Sequence, residues 1–247
     1  MVTAVTSLGE ECGDIDGIPG INILDIVHLI DFKYKSGPDP ICDIGASEIG
    51  TVTDIDGNVY ITAKIGDQTW MLQNLKVTNY RNGDPIPNVT DDGAWGGLST
   101  GAYCEYDNDI NNVSTYGRLY NWHAVDDSRN IAPEGWHVPT DAEWQTLVDY
   151  LGGVSVAGGK MKETGTTHWD SPNTGATNES GFSGLPGGYR YGTTGPFYYV
   201  GRTTLFWSST EYFGLYAWYR TLDYSYSDIG RSNLFKNYGF SVRCVKD

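Results

Sequence analysis

The chain has 247 residues, enough for one large domain or a main domain with a small companion. A hydrophobic share of 39%, with 8 Trp, 18 Tyr and 7 Phe, supports a packed core and excludes disorder as the default, while 32 Gly and 10 Pro favour turns and short strands. Sixteen Lys and Arg against 31 Asp and Glu leave a charge of −15, which repels phosphate backbones and anionic lipid, so nucleic acid is not an expected partner.

The opening MVTAVTSLGEE has neither the basic nor the apolar stretch of a signal peptide. Within it Val2, Ala4 and Thr6 alternate with Thr3, Val5 and Ser7. Segment 1–8 could therefore act as a strand added to a neighbour's open sheet edge. Segment 9–46 centres on CGDIDGIPGINILDIVHLIDFKYKSGPDPIC. Counted from Asp14, oxygen ligands fall at loop positions 1, 3, 9 and 12 as Asp14, Asp16, Asn22 and Asp25, the rhythm of an EF-hand-type calcium loop. An amphipathic helix follows, with Ile23, Val27 and Ile30 on one face, and Ser36-Gly37-Pro38 stops it. Calcium is the one cofactor expected.

Four cysteines, Cys12, Cys42, Cys104 and Cys244, show no CxxC spacing. An even count without metal spacing favours disulfides, Cys12–Cys42 and Cys104–Cys244, and an oxidising compartment.

Segment 47–247 opens on hairpin signals: TVTD, the turn Ile55-Asp56-Gly57-Asn58, VYITAKI, the turn Gly66-Asp67-Gln68 and TWMLQNLKV. Thr140 and Glu143 form a capping box, so a helix is predicted over 141–151, with Trp144, Leu147, Val148 and Leu151 buried and Gly152-Gly153 ending it. Long irregular loops and short strands follow, and the terminal GFSVRCV is expected to close against the first strands. The ordering reads as α+β: hairpins, one or two helices, long loops.

The last forty or so residues concentrate Tyr, Trp, Ser and Asn. Rigid amphipathic rings mixed with short hydroxyl and amide groups suit a recognition surface. The ligand-binding residues expected there are Glu211, Tyr212, Tyr216, Tyr219, Arg220, Tyr224, Tyr226, Asn233 and Tyr238. Trp207 and Trp218 are expected as buried anchors. His28, His123, His137 and His168 are scattered, and Glu211 with Asp223 or Asp228 is no more than chance adjacency among many acids, so no catalytic residue is assigned.

Two resemblances attach to these motifs. The loop and helix of 9–46 resemble one dockerin-type repeat of secreted bacterial proteins, with Ile18 and Pro19 where the repeat carries a ligand and a glycine; that resemblance implies calcium and a docking partner. TVTDIDGNVY, IGDQTWMLQNLKV, GRLYNW, GWHVPTDAEW, FSGLPGGYR, FWSSTE, AWYR and GFSVRCVKD together resemble the Fibrobacter succinogenes major paralogous domain over about residues 50–247. This implies a C-type-lectin-like fold, similar also to the formylglycine-generating enzyme, and secretion or surface display. Segment 212–238 also resembles the variable region of diversity-generating retroelement proteins.

The expected function is extracellular, non-catalytic recognition of a carbohydrate or a protein through the Tyr/Trp-rich C-terminal surface. A self-assembling filament or surface-layer subunit, joined by N-terminal strand exchange, is the alternative. An oxidase of the formylglycine-generating type comes third, because its close thiol pair is missing.

Overall fold

Turn chemistry organises the first sheet. The computed structural model describes residues 49–247. The strand of 1–8, the calcium ligands Asp14, Asp16, Asn22 and Asp25, and the Cys12–Cys42 pair lie outside the described residues. Strands β1 (Gly50–Thr53) and β2 (Val59–Ile65) pair antiparallel across a turn fixed by Asp54. One carboxylate oxygen of Asp54 accepts the N–H groups of Asp56 and Asn58 at 3.0 and 2.9 Å, and the other accepts the Tyr60 hydroxyl at 2.6 Å. β3 (Gln68–Met71) returns over the two-residue Gly66-Asp67 turn, with Gly66 at φ 63°.

The middle of the chain is short elements separated by loops. These are helix α1 (Asp92–Gly96), strand β4 (Tyr103–Cys104), helix α2 (Val113–Tyr116), strand β5 (Leu119–Tyr120), helix α3 (Trp122–Val125) and strand β6 (Trp136–His137). Helix α4 (Asp141–Tyr150) begins where the sequence predicts. Thr140 Oγ1 accepts the Glu143 N–H at 3.2 Å, and Glu143 accepts the Thr140 N–H at 2.8 Å. Trp144, Leu147 and Val148 are its buried residues.

Helix α5 (Val154–Met161) carries Gly158 and Gly159 because other backbone passes too close for a side chain. A Cβ on Gly158 would lie 1.9 Å from the Asp228 carbonyl oxygen, and one on Gly159 2.2 Å from that of Gly175.

The second half builds another five-stranded sheet from β7 (Gly187–Arg190), β8 (Phe197–Val200), β9 (Thr203–Phe213), β10 (Tyr216–Asp223) and β11 (Gly230–Phe235), in the order β11-β10-β9-β7-β8. Strand β9 is bulged against β10: Ala217 faces Glu211, yet Tyr219 faces Trp207. The bulge meets the start of α4, where Ser209 N–H donates to the Pro139 carbonyl at 2.8 Å and Thr210 Oγ1 accepts the Asp141 N–H at 3.0 Å.

The C-terminal strand then joins the first sheet. β12 (Val245–Lys246) places Val245 opposite both Trp70 and His137, completing the order β1-β2-β3-β12-β6. The expected closure of the terminal segment onto the first strands is therefore present, although most of GFSVRCV pairs only through isolated bridges such as Arg190 with Gly239 and Phe206 with Ser241. The described residues form a mixed α+β fold dominated by strands.

The main core draws on both sheets, including Tyr60, Met71, Trp122, Trp136, Trp207 and Phe240. Cys244 belongs to this cluster, whereas Cys104 packs in a second one with Trp95, Ala102, Tyr106 and Leu119. Both are free, buried thiols, which corrects the expected Cys104–Cys244 bridge. Each acts as a small apolar core residue. Burial pushes the Cys104 thiol up to about 12 and that of Cys244 higher still.

Buried cations hold the loops that no ladder orders. Arg243 donates to Asn74 Oδ1 and to the Phe182 and Ser183 carbonyls, with its guanidinium 4.1 Å from the Phe182 ring centre. Lys162 donates to the carbonyls of Thr174, Asp223 and Tyr226 at 2.9, 2.8 and 2.7 Å. Arg190 reaches the Val89, Thr90 and Gly195 carbonyls and Asp92. Burial brings Lys162 down to about 8 and Arg243 to about 9. Paired or hydrogen-bonded in this way, cations tolerate burial that would otherwise be costly.

Candidate functional site

A cluster of tyrosines is assembled from β7, β8, β10 and the segment just before β12. Alternation along a strand sends Tyr189 and Tyr191 to one face of the β7 segment and Arg190 to the other, where it lies 4.5 Å from the Trp95 ring centre and 4.7 Å from that of Phe197. Tyr198 is the direct cross-strand partner of Tyr189, and their rings stand 5.9 Å apart. Reciprocal hydrogen bonds of 2.9 Å between the Arg190 and Gly239 backbones lay residues 238–240 alongside β7.

That pairing brings Tyr238 and Phe240 under the tyrosines. Tyr238 lies 4.9 Å from Tyr191 and 6.2 Å from Tyr189, and Phe240 lies 6.1 Å from Tyr189. Asn237 secures the junction by donating to the Gly96 and Gly192 carbonyls at 3.1 and 2.6 Å. Gly192 leaves the space for this, since a Cβ there would sit 2.5 Å from Asn237 Oδ1 and from Tyr238. From β10, Tyr219 completes the group, 5.1 Å from Phe240.

The outcome is a graded face of six tyrosines. Tyr238 is buried, Tyr189, Tyr191 and Tyr219 are half-buried, and Tyr198 and Tyr199 are 41% and 52% exposed. Tyr199 adopts φ 64°, the left-handed region that a bulky side chain avoids. Burial, followed by the neighbouring phenols of Tyr199 and Tyr198, pushes Tyr189 up to about 12, so it is neutral across the physiological range.

The residues expected from the sequence do not form one site. Tyr219 and Tyr238 join this face. Tyr212, Tyr216, Arg220 and Asn233 instead belong to the β9–β11 ribbon with Trp218. There the Tyr212 ring lies 4.8 Å from Trp218, and Tyr216 stacks 4.5 Å from Phe235. Trp218 is only half-buried, unlike Trp207, and its ring is covered by the Arg231 guanidinium at 3.6 Å.

Arg220 is a core residue and not a surface contact; it pairs with Asp141 at 2.9 Å. Asp141 also holds Arg231 at 2.7 Å, beside a depression of about 410 Å³ lined by Ala142, Gln145, Thr146 and Asp149. Glu211 pairs with Lys236 at 3.4 Å. Tyr224 lies beneath Arg202 at 5.8 Å, and Tyr226 borders a second depression of about 530 Å³ with Val154, Ser155, Ser227 and Asp228. Tyr212 and Tyr226 are exposed, while Tyr216 and Tyr224 are half-buried.

Tyr189, Tyr191, Tyr198 and Tyr199 were not anticipated. The readable signal is the alternation in GGYRYGTTGPFYYVG, two tyrosines in phase on one strand, a Gly-rich turn, and two more on the return.

Among the described residues no group of three or more His, Cys, Asp or Glu is placed to hold a metal ion. The acidic run Asp107-Asn108-Asp109 forms a tight turn, with Asp109 accepting the Asn111 N–H at 3.0 Å. No helix among the described residues is long and apolar enough to cross a membrane.

The family model described as Fibrobacter succinogenes major domain matches residues 63–246, from within β2 to within β12. The chain belongs to that family. The matched stretch of this major domain contains all six tyrosines of the face and the whole second sheet. No curated protein and no solved structure matches the chain.

Proposed function

We propose that this chain is an extracellular, non-catalytic recognition protein on a C-type-lectin-like fold, binding a carbohydrate or a protein through its tyrosine face. The observation that carries the reading is Tyr199. An exposed, bulky side chain is held in the left-handed region, a conformation costing on the order of 1–3 kcal/mol, with the rings of Tyr189 and Tyr198 at 5.9 and 6.0 Å. Backbone strain of this kind clusters at ligand sites, and here it falls where the Tyr199 carbonyl accepts the Arg202 N–H at 3.0 Å in the turn after β8. Half-buried tyrosines add contact area at low entropy cost, since Tyr219 is already packed on Phe240 and Trp207, Tyr189 on Phe240 and Tyr191 on Tyr238.

The return of β12 to β3 and the long loops carried by the second sheet support the lectin-like fold. Calcium at Asp14, Asp16, Asn22 and Asp25 belongs to the same proposal and rests on their spacing. Arrays of glycans and of peptides, probed with the full chain and with a Tyr198→Ala/Tyr199→Ala double variant, test the surface. Ligands retained by the parent and lost by the variant support it, while equal binding by both removes the face from the account.

Self-assembly is the second reading, favoured by the β9–β10 tip, where Phe213 is 77% and Leu215 67% exposed. Sedimentation of the full chain across a concentration series tests it; a single monomeric species at all concentrations rules it out.

A further inference from the structure

Resting on the recognition reading, we infer that the tyrosine face binds an uncharged polysaccharide or oligosaccharide, engaged over several sugar units. Cations lie over Tyr60, Tyr80, Tyr103, Trp122, Trp218 and Tyr224, among others. Among the described residues none lies over Tyr189, Tyr191, Tyr198, Tyr199, Tyr219 or Tyr238. Beside Tyr199, whose carbonyl accepts the Arg202 N–H at 3.0 Å, the Arg202 guanidinium is held by Asp170 at 3.0 Å.

The charge beside this neighbourhood is balanced within that pair, although the chain carries 31 acidic residues. The side chains that most influence the Tyr189 and Tyr238 hydroxyls are other tyrosines. An anionic glycan would meet at Tyr199 a guanidinium already paired with Asp170, and would be repelled by the net charge of −15. A cationic one would find the Asp170 carboxylate already occupied by Arg202.

A neutral sugar fits both halves of the face. Its C–H surface stacks on a ring, and its hydroxyls meet phenols that each donate one hydrogen bond and accept others. None of the buried polar atoms that lack a partner belongs to the six tyrosines, so their hydroxyls are paired or open to solvent. The two depressions described above lie elsewhere, and an open face suits a chain better than an enclosed small molecule.

Affinity electrophoresis of the full chain through gels containing mannan, mixed-linkage β-glucan, polygalacturonate or DEAE-dextran tests this. The expected result is retardation by a neutral polymer and not by the charged ones. Affinity should change less than about twofold between about 0.05 and about 0.5 M salt. Tyr198→Ala and Tyr199→Ala should each weaken it about tenfold, with Tyr212→Ala unchanged. Retardation by polygalacturonate or DEAE-dextran that salt abolishes overturns the neutral-glycan inference, and so does retardation by none of the four polymers. In either case the recognition reading survives if the tyrosine variants lose binding on the arrays. Neutral-glycan binding that ignores the tyrosine variants overturns both.

Discussion

The rings of Tyr191 and Tyr238 meet edge to face at 4.9 Å and 60°, joining the turn after β7 to the segment that leads into β12. Burial, then the Tyr191 hydroxyl, holds the Tyr238 hydroxyl well above the usual phenol range. Tyr238 is thus the floor of the tyrosine face, and its ring matters more than its hydroxyl. Tyr238→Phe is expected to cost about 1 kcal/mol, and Tyr238→Ala about 3–5 kcal/mol, because only the second opens a cavity. Urea denaturation of both variants checks the order.

Tyr199 separates stability from binding. Glycine at this position relieves the left-handed backbone, while the lost side chain is half exposed and contributes little to packing. Tyr199→Gly is therefore expected to leave stability unchanged or raise it by about 0.5–1 kcal/mol while weakening ligand binding. Thermal melts beside a binding curve measure both. A large destabilisation would show that the strain is structural.

Arg243 is fully buried, and among the described residues no carboxylate partners it. Replacing it with methionine leaves the Phe182 and Ser183 carbonyls and Asn74 Oδ1 without their donors. Arg243→Met should destabilise by about 3–5 kcal/mol, and Arg243→Lys should recover only part of this, since an ammonium lacks the forked geometry. Chemical denaturation distinguishes the two.

His137 gives a pH dependence with a definite sign. Partial burial opposes its charge, but hydrogen bonds to Asp247 at 2.6 Å and Glu143 at 2.8 Å outweigh it and raise the imidazole above 6.5. Its contribution is complete below 6.5 and fades as pH rises through the higher folded value. Glu143 is lowered below 4.5, against its own burial, by the Thr140 N–H and hydroxyl and then by His137, so its contribution fades as pH falls through that lower value. Stability should therefore decline above about pH 6.5, and His137→Gln should flatten that decline. Melting temperatures over a pH series read it directly.

Local chemistry was legible and long-range packing was not. The Asp54 turn, the Gly66-Asp67 hairpin and the Thr140–Glu143 box each act within a few residues, so sequence alone places β2, β3 and α4. The two-glycine α5 depends on close approach by residues 175 and 228, which no periodicity reveals. Trp207 and Trp218 look alike in sequence, yet the β9 bulge and Arg231 leave one in the core and the other at the surface. Cysteine counting missed that Cys104 and Cys244 fill different clusters. The site itself was half visible. The C-terminal tyrosines Tyr219 and Tyr238 were in sight, but their partners on β7 and β8 arrive only through the Arg190–Gly239 pairing.

The most direct measurement is NMR of the full chain with labelled tyrosine rings, titrated with an oligosaccharide cut from whichever neutral polymer retards it. The account predicts shifts at Tyr189, Tyr191, Tyr198, Tyr199 and Tyr219, with Tyr212 and Tyr226 unmoved. Shifts confined to Tyr212, Tyr216 or Tyr226, or none at a saturating concentration, would contradict it.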